Sequence, residues 1–213
     1  MQRTAYFNSE KYLRYGQDAI NHRKCGIKKI LKNVFKDRIL DLGCGDGSIS
    51  LQLFPETRHI TFVDSSESMI LKCQSNVPAQ FTNSVNYVLS TIENYVPAQT
   101  FDVVLCIGVL AHVKNIPEVI KKVTECMKLG SYCILQITDY ANFWSKYMWV
   151  YSTIKDFLMK RYGYKLNRIT RDSLITIANI QGLTFIEEYW YDQRVHFVAT
   201  ARSEVLMMFR KNH

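Results

Sequence analysis

Arg38-Ile39-Leu40-Asp41-Leu42-Gly43-Cys44-Gly45-Asp46-Gly47-Ser48-Ile49-Ser50 is the stretch on which the reading of this chain turns. It opens with apolar residues suited to a buried strand, passes Asp41, and then places Gly43, Gly45 and Gly47 on alternate positions. Ser48, Ile49, Leu51 and Leu53 predict the start of a helix that stops at Pro55. Strand, glycine turn and helix together are the grammar of a nucleotide-type site. A residue without Cβ adopts positive φ and lets a ligand touch the backbone. The helix after the turn would add unpaired N–H groups.

The spacing narrows the ligand. The dinucleotide fingerprint G-x-G-x-x-G needs a third glycine where Ser48 stands, and no G-x-x-x-x-G-K-[ST] run exists for a P-loop. The stretch resembles the first motif, hhDhGCGxG, of class I S-adenosylmethionine (SAM)-dependent methyltransferases. It matches at Asp41, Gly43, Cys44, Gly45 and Gly47. A tight turn in an unrelated α/β protein can carry the same triplet, so the rest of the chain has to decide.

Working outward, His59 to Asp64 predicts a second strand ending in an acid 21 residues after Gly43. In a doubly wound fold that carboxylate stands beside a ribose, whose vicinal hydroxyls are donors to an acceptor-only group. The plainer alternative is a helix N-cap. Asp64-Ser65-Ser66-Glu67-Ser68-Met69 is similar to the family's D-x-S-x-x-M, which implies adenosine contacts for Ser65 and Met69. Ser65 or Ser66 can cap the next helix, with Met69, Ile70 and Cys73 on its inner face. Val85–Leu89 reads as a third strand. Ser90 and Thr91 stand where many relatives carry an acid for the adenine amino group, so Thr91 or a backbone carbonyl would serve, with Ile92 packed on the ring.

Phe101–Ile107 is a continuous apolar run after one acid, as expected of a central parallel strand. FDVVLCIGVLAHV resembles the family's fourth-strand motif and implies that Cys106 borders the cofactor and that His112 lies in the active-site loop. Asn115, Pro117 and Glu118 predict a helix start, Ile116, Val119, Ile120, Val123 and Met127 its buried face, and Gly130 its end. Tyr132–Ile137 is the fifth strand, within MKLGSYCILQITD, which resembles the family's LKPGG-strand-D.

Upstream, Glu10–Val34 predicts a helix, and the aromatics Tyr12 and Tyr15 could cover the site, as N-terminal segments do in this family. Downstream, residues 142–161 carry Phe143, Tyr147, Ile154 and Phe157 on one helical face, with Trp144 widening it and lysines around it. That suits a cap over the acceptor, a helix lying on an anionic membrane, or simple core packing. Thr170–Ile180 predicts a last helix, and Leu183–Trp190 and Val205–Phe209 the last strands. The expected fold is one α/β domain over residues 1–213: a doubly wound, seven-stranded, mostly parallel sheet with an N-terminal helix and a helical cap insertion at about 140–166.

Composition excludes several classes. At 213 residues, 47% hydrophobic and 22% charged, the chain suits one globular domain, and no run is long enough to span a bilayer. The first residues lack an apolar h-region, which points to a cytoplasmic protein, with peripheral membrane attachment left open. Six scattered cysteines without C-x-x-C read as reduced thiols and give no metal-ligand spacing. A net charge of +8 fits an anionic partner or simple solubility.

The resemblance implies SAM as cofactor and methyl transfer to a small-molecule acceptor; the absence of ligand spacing and the already activated positive sulfur predict that no metal takes part. A hydroxyl of a sugar, nucleotide-sugar or similar polar metabolite is the expectation, in the manner of glycan biosynthesis. A hydroxyl acceptor needs its proton taken, and His112 is the candidate base, with an unperturbed pKa of about 6.5. Trp144, Tyr147, Tyr12 and Tyr15 are the candidate acceptor contacts. Cys106-Ile107-Gly108-Val109 replaces the [DNS]-P-P-[YFW] of enzymes that methylate planar amino groups. A tRNA- or rRNA-modifying enzyme and a catalytically silent binding subunit are the two alternatives.

Overall fold

The computed structural model describes residues 17–139, 150, 167–196 and 199–212, with the side chains of 17–18 and 192–203 set aside. The segment before 17 and most of the expected cap insertion lie outside the described residues, and with them Tyr12, Tyr15, Trp144 and Tyr147.

Seven strands are described: β1 (Arg38–Leu42), β2 (His59–Asp64), β3 (Val85–Leu89), β4 (Phe101–Cys106), β5 (Met127–Thr138), β6 (Leu183–His196) and β7 (Ala199–Lys211). Four α-helices accompany them: α1 (Gln17–Ile30), α2 (Glu67–Asn76), α3 (Ile116–Cys126) and α4 (Arg171–Ile180). The strands form one sheet in the order β3-β2-β1-β4-β5-β7-β6. The pairs among β1 to β5 are parallel, while β7 runs antiparallel to both neighbours. This is the expected architecture.

Strand alternation divides the core in two. Leu40, Leu42, Val104 and Cys106 pack with α3, Leu174 of α4 and Phe209 on one face. Ile39, Val103, Leu105, Ile60 and Phe62 pack with Ile27 and Ile30 of α1 and Ile70 of α2 on the other. Both faces of β4 are therefore buried, which is why its sequence is apolar without alternation. Each fully buried aliphatic side chain contributes about 1.5–3 kcal/mol.

Several local expectations are corrected. The run after the glycine turn is a 3-10 segment, Leu51–Glu56, with Pro55 inside it. It is too short to bring an α-helix terminus to the site. α1 ends at Ile30 instead of Val34, where the buried Lys36 Nζ donates to the carbonyls of Leu31 (3.0 Å) and Val34 (3.2 Å) and closes the end. Asn115 precedes α3 without a side-chain cap bond. Gly130 does not end that helix; it lies within β5, where pairing with β4 shifts register. β4 stops at Cys106, one residue short of the expected run. β6 and β7 extend well beyond the predicted strands as a long antiparallel ribbon. Among the described residues no helix is long and apolar enough to cross a membrane.

Candidate active site

The glycine turn leaves the C-terminal end of β1, at the centre of the sheet. Its backbone donors are engaged by the protein. The N–H groups of Gly43 and Cys44 donate to Val63 O at 2.8 and 3.0 Å, Gly45 N to Asp64 Oδ2 at 2.9 Å, Gly47 N to Cys44 O at 3.0 Å, and Ser48 N to Asp46 Oδ1 at 3.1 Å. A phosphate-binding loop aims such groups at its ligand. This turn instead offers close approach to its backbone.

Two of its glycines are required for different reasons. Gly43 has φ +74°, and a Cβ there would sit 2.4 Å from Val109 Cγ2. The loop after β4 thus presses directly on the turn. Gly45 has φ +56°, and a Cβ there would project into open space. That space is where a ligand can lie on the backbone.

Carboxylates rim the turn. Asp64 accepts from Gly45 N through Oδ2 and from Ser66 N through Oδ1, each at 2.9 Å. One side chain therefore ties the tip of β2 to the turn and to the start of α2. Burial raises its pKa, and the backbone donors of Ser66, Gly45 and Ser65 pull against that. Asp41 is buried beneath the turn and accepts from Ser50 Oγ at 2.5 Å. Burial pushes its pKa up to about 7, the Ser50 bond opposes the shift, and the charges of Asp64 and Asp46 add to it. Among the described residues no ion pair neutralises Asp41, Asp46 or Asp64. A loop ringed by acidic side chains, with five of its N–H groups already bonded, suits a cationic ligand better than a phosphate.

Other predicted positions fall around this centre. Ser66, not Ser65, caps α2, accepting from Met69 N at 3.4 Å, and Ser65 is exposed. Met69 is buried. Ser90 N donates to Asp64 O at 2.9 Å, bringing the end of β3 alongside; Thr91 is exposed and accepts from Asn94 N, and Ile92 is buried. The thiols of Cys44 and Cys106 are buried. The Cys73 thiol and burial raise the Cys44 pKa, and burial raises that of Cys106 to about 12. Both are inert as nucleophiles at neutral pH, and Cys106 can meet a ligand only through its backbone.

His112 is half-buried in the turn after β4, its backbone N–H donating to Val109 O at 2.8 Å. Asn167, which carries no signal in the sequence, fastens this turn. Its backbone N–H donates to Ala111 O at 2.8 Å, and its Nδ2 donates to Leu110 O at 3.3 Å and to Val113 O. Local patterning cannot mark Asn167, because these side-chain partners lie 57 and 54 positions away. Asp102, at the far end of β4, is buried and bonded to Lys128 Nζ and Arg38 N. Among the described residues no group of three or more His, Cys, Asp or Glu is placed to hold a metal.

A second polar group joins α1, β5, β6 and β7. Glu204 accepts from Gln136 Nε2 at 2.6 Å, Thr138 Oγ1 at 2.9 Å and Tyr191 OH at 3.0 Å. Arg23 of α1 donates from Nε to Tyr191 OH at 3.1 Å, and its Nη2 is 3.7 Å from Glu204 Oε2. The sequence alone singles out none of these five residues.

Residues 35–168 match a protein family described as "Methyltransferase domain". The ubiquinone biosynthesis O-methyltransferase of Rickettsia typhi is 27% identical over 169 residues, 75% of this chain and 68% of that one. That of Rickettsia akari is 26% identical over 163 residues, 72% of this chain and 64% of that one. The chain thus spans about two thirds of the length of these curated relatives. Among solved structures, magnesium protoporphyrin IX methyltransferase from Synechocystis, with bound S-adenosylhomocysteine (SAH), superposes at TM-score 0.71 and 15% identity, covering 98% of each chain. A chain from the Haloferax volcanii complex of the Trm112 activator with a methyltransferase superposes at TM-score 0.76 and 13% identity, covering 100% of this chain and 99% of that one.

Proposed function

This chain belongs to the methyltransferase-domain family and has the class I fold of its SAM-dependent members, and we propose that it methylates a hydroxyl on the ring of a small quinone-type precursor. The names of the curated relatives support an oxygen acceptor of that kind over the sugar or nucleotide-sugar expected from the sequence. The observation that carries the reading is the carboxylate-rimmed glycine turn, whose open face at Gly45 fits a cationic, phosphate-free cofactor.

In this reading the turn from Gly43 to Gly47 supports the cofactor, Asp64 accepts from the ribose hydroxyls, and Ser65, Met69, Thr91 and Ile92 line the adenosine. The backbone at Cys106 borders the methionyl end, and Asp41 and Cys44 shape the turn from below. When bound, SAM supplies a methyl group on a positive sulfur, which leaves as the neutral thioether as the new O–CH3 bond forms. The protein's part is to align the acceptor, exclude water and take the hydroxyl proton. His112 receives that proton. The turn carrying it is pressed on Gly43 through Val109 and held by Asn167.

The test is radiolabelled methyl transfer from SAM to simple dihydroxyphenyl compounds, with SAM affinity measured by calorimetry. Asp64→Ala removes charge-assisted hydrogen bonds of about 1.5–3 kcal/mol each. Its SAM affinity should fall at least about tenfold. Unchanged affinity would refute the ribose role, and labelling of RNA instead of phenols would refute the acceptor class.

A further inference from the structure

The sheet has two outer strands, β3 and β6. An outer strand presents unpaired N–H and C=O groups, and natural proteins blunt such an edge with charge, proline or a bulge. β6 is blunted. It carries Glu187, Glu188, Asp192 and Arg194, and a register shift between Phe185 and Glu187 breaks its pairing with β7. β3 is not. Val85-Asn86-Tyr87-Val88-Leu89 has no charged residue and no proline, and it pairs with β2 without a bulge. The stretch without charge is wider than the strand. From 77 to 100 the sequence holds one charged residue, Glu93, in a chain that is 22% charged.

The open groups can be assigned. Ser90 N donates to Asp64 O, so the backbone of Ser90 faces β2. Residues of a strand turn their backbone groups alternately to one neighbour and the other. Asn86 and Val88 therefore face β2 as well, and the N–H and C=O groups of Val85, Tyr87 and Leu89 point to the open edge. Among the described residues no hydrogen bond reaches these six groups. The side chains that go with them are apolar or aromatic. Val85 and Tyr87 pack partly buried on the α1–α2 face of the core, and Leu89 is 56% exposed.

We propose that β3 is the docking edge for a second copy of this chain, the two β3 strands pairing antiparallel about a twofold axis at Tyr87. In that register Val85 of each copy lies opposite Leu89 of the other, and the two Tyr87 residues face each other. All six open groups of each strand are then used, and no cross-strand pair on that face sets charge against charge. The strand is its own complement, as an interface between identical copies requires. Charge points the same way. A net charge of +8 makes two copies repel over most of their surface, and β3 is where the charges are missing. An acidic partner protein would find no charge on β3 to read. Pairing of this kind is independent of the methyl-transfer reading.

Sedimentation velocity over a range of concentrations tests it. The wild type should approach twice the chain mass of 24.9 kDa, and do so more readily at high salt, where repulsion is screened. Leu89→Lys places a charge on the edge and should raise the dimer dissociation constant about tenfold or more. Phe35→Lys, at an apolar site that is 75% exposed but precedes β1, should leave it unchanged. Hydrogen exchange then locates the interface. The amides of Val85, Tyr87 and Leu89 should exchange slowly in the dimer and quickly on dilution, while those of Asn86 and Val88 stay slow in both. A wild type that remains monomeric at every concentration overturns the proposal. So does a dimer whose dissociation constant is unmoved by Leu89→Lys, or one in which the three outward amides exchange freely. Should Leu89→Lys fail to fold, exchange in the wild type still decides it.

Discussion

The glycine turn and the polar group beside Gly108 are built on different plans. At the glycine turn, loop, carboxylate and helix cap come from two short segments, Asp41–Ser50 and Val63–Met69, held by hydrogen bonds of 2.8–3.1 Å that backbone N–H groups donate to carbonyls and carboxylates. Beside Gly108, Arg23, Gln136, Tyr191 and Glu204 come from four elements, and the Arg23–Tyr191 bond spans 168 positions. The first plan is local and leaves little room for substitution. The second is a set of side chains on a common frame, so it can change without disturbing the turn.

Variants sharpen the contrast, because each should act on one side alone. The largest effect is expected from His112→Ala. A general base contributes about 10²–10⁴-fold, so transfer should slow within that range while calorimetric SAM affinity is unchanged. The acid limb of kcat should disappear in the variant. Retention of both rate and limb would move the base elsewhere. Asn167→Ala, which loosens the same turn without touching the imidazole, should give a smaller loss of kcat and keep the limb.

Two glycine variants divide fold from ligand. Gly43→Ala brings a methyl 2.4 Å from Val109 Cγ2 at a positive φ, and overpacking of this kind costs about 1–3 kcal/mol before backbone strain is added. Its melting temperature should fall by several degrees. Gly45→Ala meets no protein atom, so it should melt closer to the wild type yet bind SAM poorly. Equal SAM affinity in Gly45→Ala and wild type would show that the open face is not the cofactor's.

The smallest effect is a slope with pH. Asp41 has a folded pKa of about 7, above its ordinary value near 3.8. The native state therefore holds a proton that the unfolded chain has released, and stability from this group declines as pH rises from about 4 to about 7. Above that window the buried charge disfavours the fold in full. Asp41→Asn keeps an acceptor for Ser50 without the charge, so its melting temperature should decline less than the wild type's between about pH 5 and 8. Parallel melting curves would show that Asp41 does not titrate in this window.

The cofactor side is largely legible in the amino-acid sequence. Asp41, the glycine triplet, Asp64 and the strands on either side of them recur at fixed spacings because a turn and its neighbouring strand end are set by local backbone geometry. Legibility fails where local signals meet tertiary ones. Pro55 reads as a helix stop, yet no α-helix forms after the turn for it to stop, and it sits next to last in a short 3-10 segment, where its missing N–H costs one ladder bond. Gly130 reads as a helix end, yet it serves the register shift between β4 and β5. Asn115 reads as a cap and makes no cap bond.

By itself, then, the sequence determined the strand pattern, the doubly wound class and the carboxylate-rimmed turn, because hydrophobic period and glycine spacing act over a few residues. Only the tertiary structure decided that Asn167 fastens the turn of His112, that Val109 bears on Gly43, and that Arg23 reaches Gly108 on the shoulder of Tyr191 and Glu204. Those contacts join residues dozens to more than a hundred positions apart, and no local preference encodes them. The last of them exists because β7 enters the sheet antiparallel beside β5 and carries Glu204 to the same end as Gln136 and Thr138.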